Sequence, residues 1–428
     1  MTELEAARYS MAFSLGFHII FAAIGMTMPF FMSIAHYKFL KTKNSQYLDL
    51  TKMWMKGVAV LFAVGAVSGT VLSFELGLLW PGFMKYAGPI IGMPFSWEGT
   101  AFFLEAVAIG LFLYGWDRMH PWVHWGAGLV VGLSGFASGI FVVAANSWMN
   151  TPQGFEIVDG VIKSVDPIKA MFNPAWLHQS MHMQVAALQA VGFGVAGIHA
   201  YFLLKRRKVE INKKAFMIAM FIAAGSSLLQ PLIGHFAAQR VAVLQPAKLA
   251  AFEGHYKTST RAPLYIAGIP NDEKEIMEYG IPIPGALSFL AFNDIDAEVI
   301  GLDQFPKDER PPTAVVHISF QIMVMIGSFL ALIGTMFFYF FFIKKTVPTV
   351  FYKIAVLCSP LGFIAIEAGW ITTEVGRQPW IIYEFMKVSE ALTPVAGMQY
   401  HFFLFLFLYL GLGLLTFKLL KRMVNHYV

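Results

Sequence analysis

The stretch Ile364–Trp380, IAIEAGWITTEVGRQPW, decides how this chain is read. It begins inside an apolar segment whose one carboxylate is Glu367, and then delivers Glu374, Arg377, Pro379 and Trp380 within seven residues. Charge at the end of an apolar helix is costly, and an Arg and a Pro that cannot continue the helix follow it. Such an acid needs a partner: a metal, a bound anion or a proton path. The spacing leaves a second reading open, in which Glu374 and Arg377 pair with each other at a helix end facing water.

Composition favours the membrane setting. Of 428 residues, 57% are hydrophobic and 13% charged, which argues against a set of soluble domains and for a polytopic bundle. The net charge of +5 is small for this length and does not point to nucleic acid. A single cysteine, Cys358, rules out an intrachain disulfide and a cysteine-cage zinc or iron–sulfur centre, so any metal must be held by His, Met or carboxylate. The opening MTELEAARYS carries an acidic head and no cleavage pattern, so the first apolar run is expected to be retained.

Apolar windows of about 20 residues or more lie at 10–40, 54–80, 95–116, 122–148, 176–204, 215–236, 312–343, 350–372 and 398–420. The fold class expected is therefore all-α: a single polytopic membrane domain spanning 1–428, with nine transmembrane helices and a long external loop, 237–311, between helices six and seven. Lys and Arg concentrate after helices one, three, five, seven and nine. By the positive-inside rule the N-terminus faces out, the C-terminus faces the cytoplasm, and the loops 149–175 and 237–311 lie outside with the Glu374 turn. The start of the longer loop, VLQPAKLAAFEGHY, reads as a short helix carrying Lys248 and Glu253; a solvated amphipathic turn is the plainer alternative.

Several groups on the spans could carry chemistry. His18 lies among Phe and Ile about eight residues into the first helix. Glu98 and Glu105 on helix three are seven residues apart, hence on one face about 10 Å apart along the axis, so that one could bind metal while the other passes protons. Glu75, near the end of helix two, is a weaker case. His178 and His182 form an i, i+4 pair on helix five that could hold zinc but cannot sit on both faces of one haem, which would take one of them and an opposing ligand such as Met323 on helix seven. With the topology above, His18, Glu98, His182, Met323 and Glu374 fall in one outer layer beneath the external loop. That convergence points to several iron porphyrins rather than a single ion site.

These residues sit in runs with a known counterpart. GRQPW at 376–380 after EAGW, GWDR at 115–118, WEGTAFFLE at 97–105, NP…H at 173–182, FQIM at 320–323 and KLAAFE at 248–253 together resemble subunit I of the cytochrome bd-type quinol oxidases from end to end, in the branch with a short external loop. The resemblance implies a quinol:dioxygen oxidoreductase of the prokaryotic cytoplasmic membrane, with quinol oxidised at the outer face and dioxygen reduced to water at a high-spin haem pair. A proton-motive force would arise without pumping. It implies two haems b and a third haem, either d or a further b. His182 and Met323 would be the axial ligands of the low-spin haem b, His18 would ligate one high-spin haem with Glu98 beside or opposite it, and Glu374 would ligate the other with Trp370 and Arg377 around the pair. Lys248 and Glu253 match positions linked to quinol binding, and Glu105 an acid assigned to proton delivery. Subunit II of the oxidase, a small single-helix subunit and membrane lipid are the implied partners. One departure stands out: where many relatives carry Arg two residues before the methionine, this chain has Gln321. Two rivals stay open at this point, a di-haem quinone-reactive membrane anchor of a dehydrogenase, which does not need Glu98 and Glu374, and a proton-coupled transporter, which does not explain His182 with Met323.

Overall fold

The computed structural model describes residues 1–158 and 161–427. Among them nine helices are long and apolar enough to cross a membrane. They are α1 (Glu3–Thr42), α2 (Ser45–Leu79), α3 (Pro81–Tyr114), α4 (Pro121–Asn150), α5 (Trp176–Leu204), α6 (Val209–Leu244), α7 (Thr313–Ile343), α8 (Thr349–Val375) and α9 (Met398–Tyr427). The all-α bundle expected from the apolar windows is the one observed. Helices α1 to α4 pack on one another, as do α5 to α8; α4 against α5 joins the two groups, and α9 lies along α1 and α2. Small residues allow the close approaches: a Cβ added to Gly192 on α5 would come within 2.8 Å of the Ala223 backbone on α6, and one on Gly362 within 2.4 Å of Ala190. Packing of this kind, rather than hydrophobicity, holds helices together in lipid.

Two boundaries differ from the apolar windows. Helix α3 starts at Pro81, a turn-rich stretch by sequence that holds Pro89 and Pro94 inside the helix. Phe83, Ala87, Ile90 and Ile91 there are buried against Trp148, Ile381, Ile382 and Ala391, so tertiary packing overrides the local cost of proline. The loop expected from 237 begins later, because α6 stays helical through the apolar Val241–Leu244 and ends where Gln245 precedes Pro246, a position that disfavours helix.

The segment from Gln245 to Pro312 is not a bare polar excursion. Its Pro246–Glu253 helix ends at Gly254 in the left-handed conformation (φ 63°), and three two-residue or three-residue antiparallel ladders follow: Ser259–Thr260 with Glu298–Val299, Leu264–Ile266 with Ile281–Ile283, and Ile269–Asn271 with Ile276–Glu278. Leu249, Phe252, Tyr256, Leu287 and Val299 gather against Val316 of α7 in a small apolar core of their own. The loop is thereby fastened to the end of the bundle that carries Glu374.

Candidate functional site

Lys248 and Glu253 are buried, at 4% and 5% exposure, which removes the solvated-turn reading of their helix. From Lys248 a continuous hydrogen-bond chain leads into the spans. Its Nζ donates to Asn150 Oδ1 at 2.5 Å, and Asn150 Nδ2 donates to the Asn146 carbonyl at 3.0 Å and to its Oδ1 at 3.2 Å. Asn146 Nδ2 donates in turn to Glu374 Oε1, and Arg377 Nη2 donates to Glu374 Oε2 at 2.7 Å. Asn146 and Asn150 are one turn apart at the end of α4, which sets both amides toward the end of α8. Lys248 packs so closely on that end that a Cβ on Gly376 would lie 3.1 Å from its Cγ.

The pair Glu374–Arg377 is accordingly not the exposed helix-end pair that spacing left open. Arg377 is 2% exposed, and its Nε and Nη1 have no hydrogen-bond partner. Two buried guanidinium nitrogens whose N–H groups have no acceptor suit an anionic group such as a carboxylate. In the loop, burial holds the Lys248 ammonium well below the usual lysine range, with the Arg377 charge adding to the effect and Glu374 opposing it. Burial likewise pushes the Glu253 carboxyl up to about 8, and its Oε2 is unpartnered.

Each of the other singled-out side chains sits in a helix seam with a glycine or a polar group across from it. His18 Nδ1 lies 3.0 Å from Ser68 Oγ on α2, and the Ser68 hydroxyl donates to the Gly65 carbonyl at 3.1 Å. With its proton so engaged, Ser68 accepts from Nδ1–H, which leaves His18 Nε2 with a lone pair for a metal. A Cβ on Gly69 would come within 2.9 Å of His18 Cε1, one on Gly234 within 3.4 Å of His182 Cε1, and one on Gly369 within 2.9 Å of Met323 Sδ. The Gln230 amide nitrogen is 3.3 Å from both ring nitrogens of His182 and donates to the His182 carbonyl at 3.2 Å. On α3, Glu98 Oε1 accepts from Ser138 Oγ of α4 at 3.1 Å. Glu105, buried two turns further along the same face, lies against Gly135, where a Cβ would be 3.6 Å from its Oε1. Trp370, one turn before Glu374, packs half-buried on the main apolar core.

Among the described residues no three His, Cys, Asp or Glu side chains converge on one metal-sized point. That arrangement does not suit a bare metal ion, which needs most of its ligands from protein. It suits haem, whose porphyrin brings four nitrogens and asks the chain for one or two axial ligands per iron. Single His, Met and Glu donors with glycines across the seam and the unpaired N–H groups of Arg377 nearby fit such a group. No hydrogen bond joins His182 to Met323, or His18 to Glu98 or Glu374, among the described residues. The polar groups that sequence reasoning passed over are Asn146, Asn150, Ser68 and Gln230. The one signal for them was the i, i+4 asparagine pair in NSWMN at the end of an apolar span.

The family model for cytochrome bd terminal oxidase subunit I matches residues 6–428. The chain is 38% identical over 406 residues to a putative cytochrome bd menaquinol oxidase subunit I of Bacillus subtilis, covering 93% of this chain and 91% of that one. It is 32% identical to the cytochrome bd ubiquinol oxidase subunit 1 of the same organism, with 92% and 87% covered, and 26% identical to the cytochrome bd-II ubiquinol oxidase subunit 1 of Escherichia coli, with 91% and 89% covered. Among solved structures, the bd oxidase of Geobacillus thermodenitrificans superposes with a TM-score of 0.93 at 38% identity, covering 99% of this chain and 98% of that one.

Proposed function

Because the chain belongs to the cytochrome bd terminal oxidase subunit I family, and is thus part of a quinol:dioxygen oxidoreductase of the respiratory chain, we propose that it oxidises quinol at the Lys248–Glu253 helix and passes the electrons to dioxygen at haems held by His182, Met323, His18 and Glu374. The observation that carries this reading is the unbroken chain of hydrogen bonds from Lys248 through Asn150 and Asn146 to Glu374. Two quinols and one dioxygen yield two quinones and two waters, so four electrons and four protons leave quinol for each dioxygen consumed.

His182 on α5 and Met323 on α7 would hold a low-spin haem b, while His18 and Glu374 would each hold a high-spin haem, the third group being haem d or a further haem b. When bound, these haems supply electron transfer and the reduction of dioxygen. The protein does the remaining work. Lys248 and Glu253 bind and orient quinol in a dry site, where Glu253 Oε2 is free to give or take a hydrogen bond. Arg377 holds the Glu374 carboxylate in place through its Nη2 donor, and its spare N–H groups would suit an acidic substituent of a haem bound there, with Trp370 one turn away on the same helix. Glu98, held by Ser138, and Glu105 carry protons along α3 toward the reacting layer. With the N-terminus and the 245–312 loop outside and the C-terminus in the cytoplasm, quinol protons leave outside while consumed protons come from within, which builds a potential without a pump. Subunit II pairs with this chain in bd oxidases; a small single-helix subunit and lipid complete the assembly.

The test is pigment extraction from the purified complex together with quinol-driven oxygen uptake. Three haems for each copy of this chain and uptake that stops without quinol are expected. Protohaem in smaller number with no oxygen uptake would return the reading to a di-haem anchor.

A further inference from the structure

Glu75 has no part in the chemistry above, yet it is wholly enclosed at 0% exposure, and neither carboxylate oxygen has a hydrogen-bond partner. Its position relates it to His18. On α2, Glu75 follows Ser68 by seven residues, so both side chains lie on one face about 10 Å apart along the axis, and Ser68 is the group that meets His18. On α1, Ser14 precedes His18 by one turn, and its hydroxyl lies beside the Glu75 carboxylate. The third wall is α9, whose Tyr409 is buried with its hydroxyl next to Ser14 and also lacking a partner of good geometry. Tyr409 is the titratable side chain that interacts with Glu75, α1 adds the Ser14 hydroxyl, and two turns earlier on α9 both ring nitrogens of His401 lack a partner.

Two hydroxyls and one carboxyl, those of Ser14, Tyr409 and Glu75, all buried and none with a hydrogen bond of good geometry, form a polar knot between α1, α2 and α9. A structural role explains such a knot poorly, because each unpaired buried polar atom costs about 1–3 kcal/mol that an apolar side chain of the same shape would avoid. An intramembrane carboxyl without a charged partner is stabilised by a proton or by a positive charge within reach. An iron centre at His18 would be such a charge, and it changes by one unit when an electron arrives.

We propose that Glu75 is the proton site coupled to the redox state of the haem that His18 holds, releasing its proton as that centre is oxidised and binding one as it is reduced. Ser14 and Ser68 line the way between the two. One electron, delivered by quinol, and one proton, taken from water, then enter the layer together, so its net charge stays constant. Glu75 is a positioning residue for charge, not a group that touches dioxygen. The inference rests on the assignment of His18 as a haem ligand.

The experiment is redox difference infrared spectroscopy of the purified complex, with the midpoint potential of the His18-linked high-spin haem titrated against pH. Wild type is expected to show a protonated-carboxyl carbonyl band on reduction that Glu75→Gln lacks, with haem content unchanged and the pH slope of that potential lowered by up to one proton per electron. Ser14→Ala and Tyr409→Phe, which leave the carboxyl in place, are expected to move the band without removing it, and they carry the test if the Gln variant does not assemble. Bands from Glu98, Glu105 and Glu367 persist in all three variants and serve as internal references. An unchanged band and slope in Glu75→Gln, or in both of the other variants, would overturn the proposal. Loss of no haem in His18→Ala would instead defeat the ligand assignment beneath it.

Discussion

Replacing Asn150 by alanine tests the link between the loop and Glu374 at the buried joint with Lys248. Asn150 Oδ1 is the acceptor for the Lys248 ammonium, and Lys248 is 4% exposed, so water does not readily replace it. A hydrogen bond to a charged group is worth about 1.5–3 kcal/mol, and the loss falls on the protonated form of Lys248 alone. At 1.36 kcal/mol for each pH unit, ionisation of Lys248 moves down by about 1–2 units beyond the lowering that burial already imposes. The sign follows from the charge: a lysine whose cation is destabilised is charged only at lower pH, so the limb of the quinol-turnover profile that depends on Lys248 shifts to lower pH by that amount. Asn150→Asp supplies an anionic acceptor and shifts the same limb upward. Asn146 still reaches Glu374 in both variants, so haem content and ligand binding to the chemically reduced enzyme are expected to stay as in wild type. The assay is steady-state quinol oxidation from low to high pH on both variants. Superimposable profiles with unchanged KM would refute the argument.

Three further outcomes are expected. Met323→Leu, close in volume and so tolerable to the fold, turns the low-spin haem high-spin or loses it while sparing the other two; an unchanged low-spin signal in the purified variant removes Met323 from the ligand set. Glu374→Ala strands the guanidinium of Arg377, itself 2% exposed, and is expected to cost about 3–5 kcal/mol along with one high-spin haem and oxygen uptake; Arg377→Lys keeps the charge and the haem with altered activity, and a normal haem count in the Ala variant counts against ligation. Glu253, whose carboxyl is pushed up to about 8, ionises only as pH approaches that value, so quinol turnover rises through pH 8 as its proton-accepting form appears. In Glu253→Gln that rise is lost while oxygen binding persists, and Lys248→Ala likewise lowers turnover with quinol alone; retention of the rise in Glu253→Gln argues against the role.

The spans and the charged end of α8 were legible because bilayer thickness and the cost of intramembrane charge leave a strong trace in a single chain. Helix α5 runs from Trp176 to Leu204, as its window does. The start of α3 was hidden by Pro89 and Pro94, whose helical state depends on partners more than 50 residues away such as Trp148 and Ile381. Asn146 and Asn150 were hidden for a different reason: an asparagine near a helix end reads as a cap or turn, and only the fold reveals that one faces Glu374 and the other Lys248. The burial of Lys248 was equally out of reach, since the apolar core that covers it joins residues from Leu249 to Val316.

Gln321 gives the loop a further property. Its Nε2 donates to the Tyr265 carbonyl at 3.2 Å, and its Oε1 accepts from the Ala267 N–H at 3.4 Å, so one neutral amide clasps the backbone groups that flank Ile266. Arginine has five donors and no acceptor, and could not receive the Ala267 N–H. Position 321 and the segment around 265–267 therefore form one exchangeable module although they lie more than 50 residues apart. A chimera that imports the loop of an arginine-bearing relative without its residue 321 would inherit a mismatched clasp, and loop and helix position must be transplanted together.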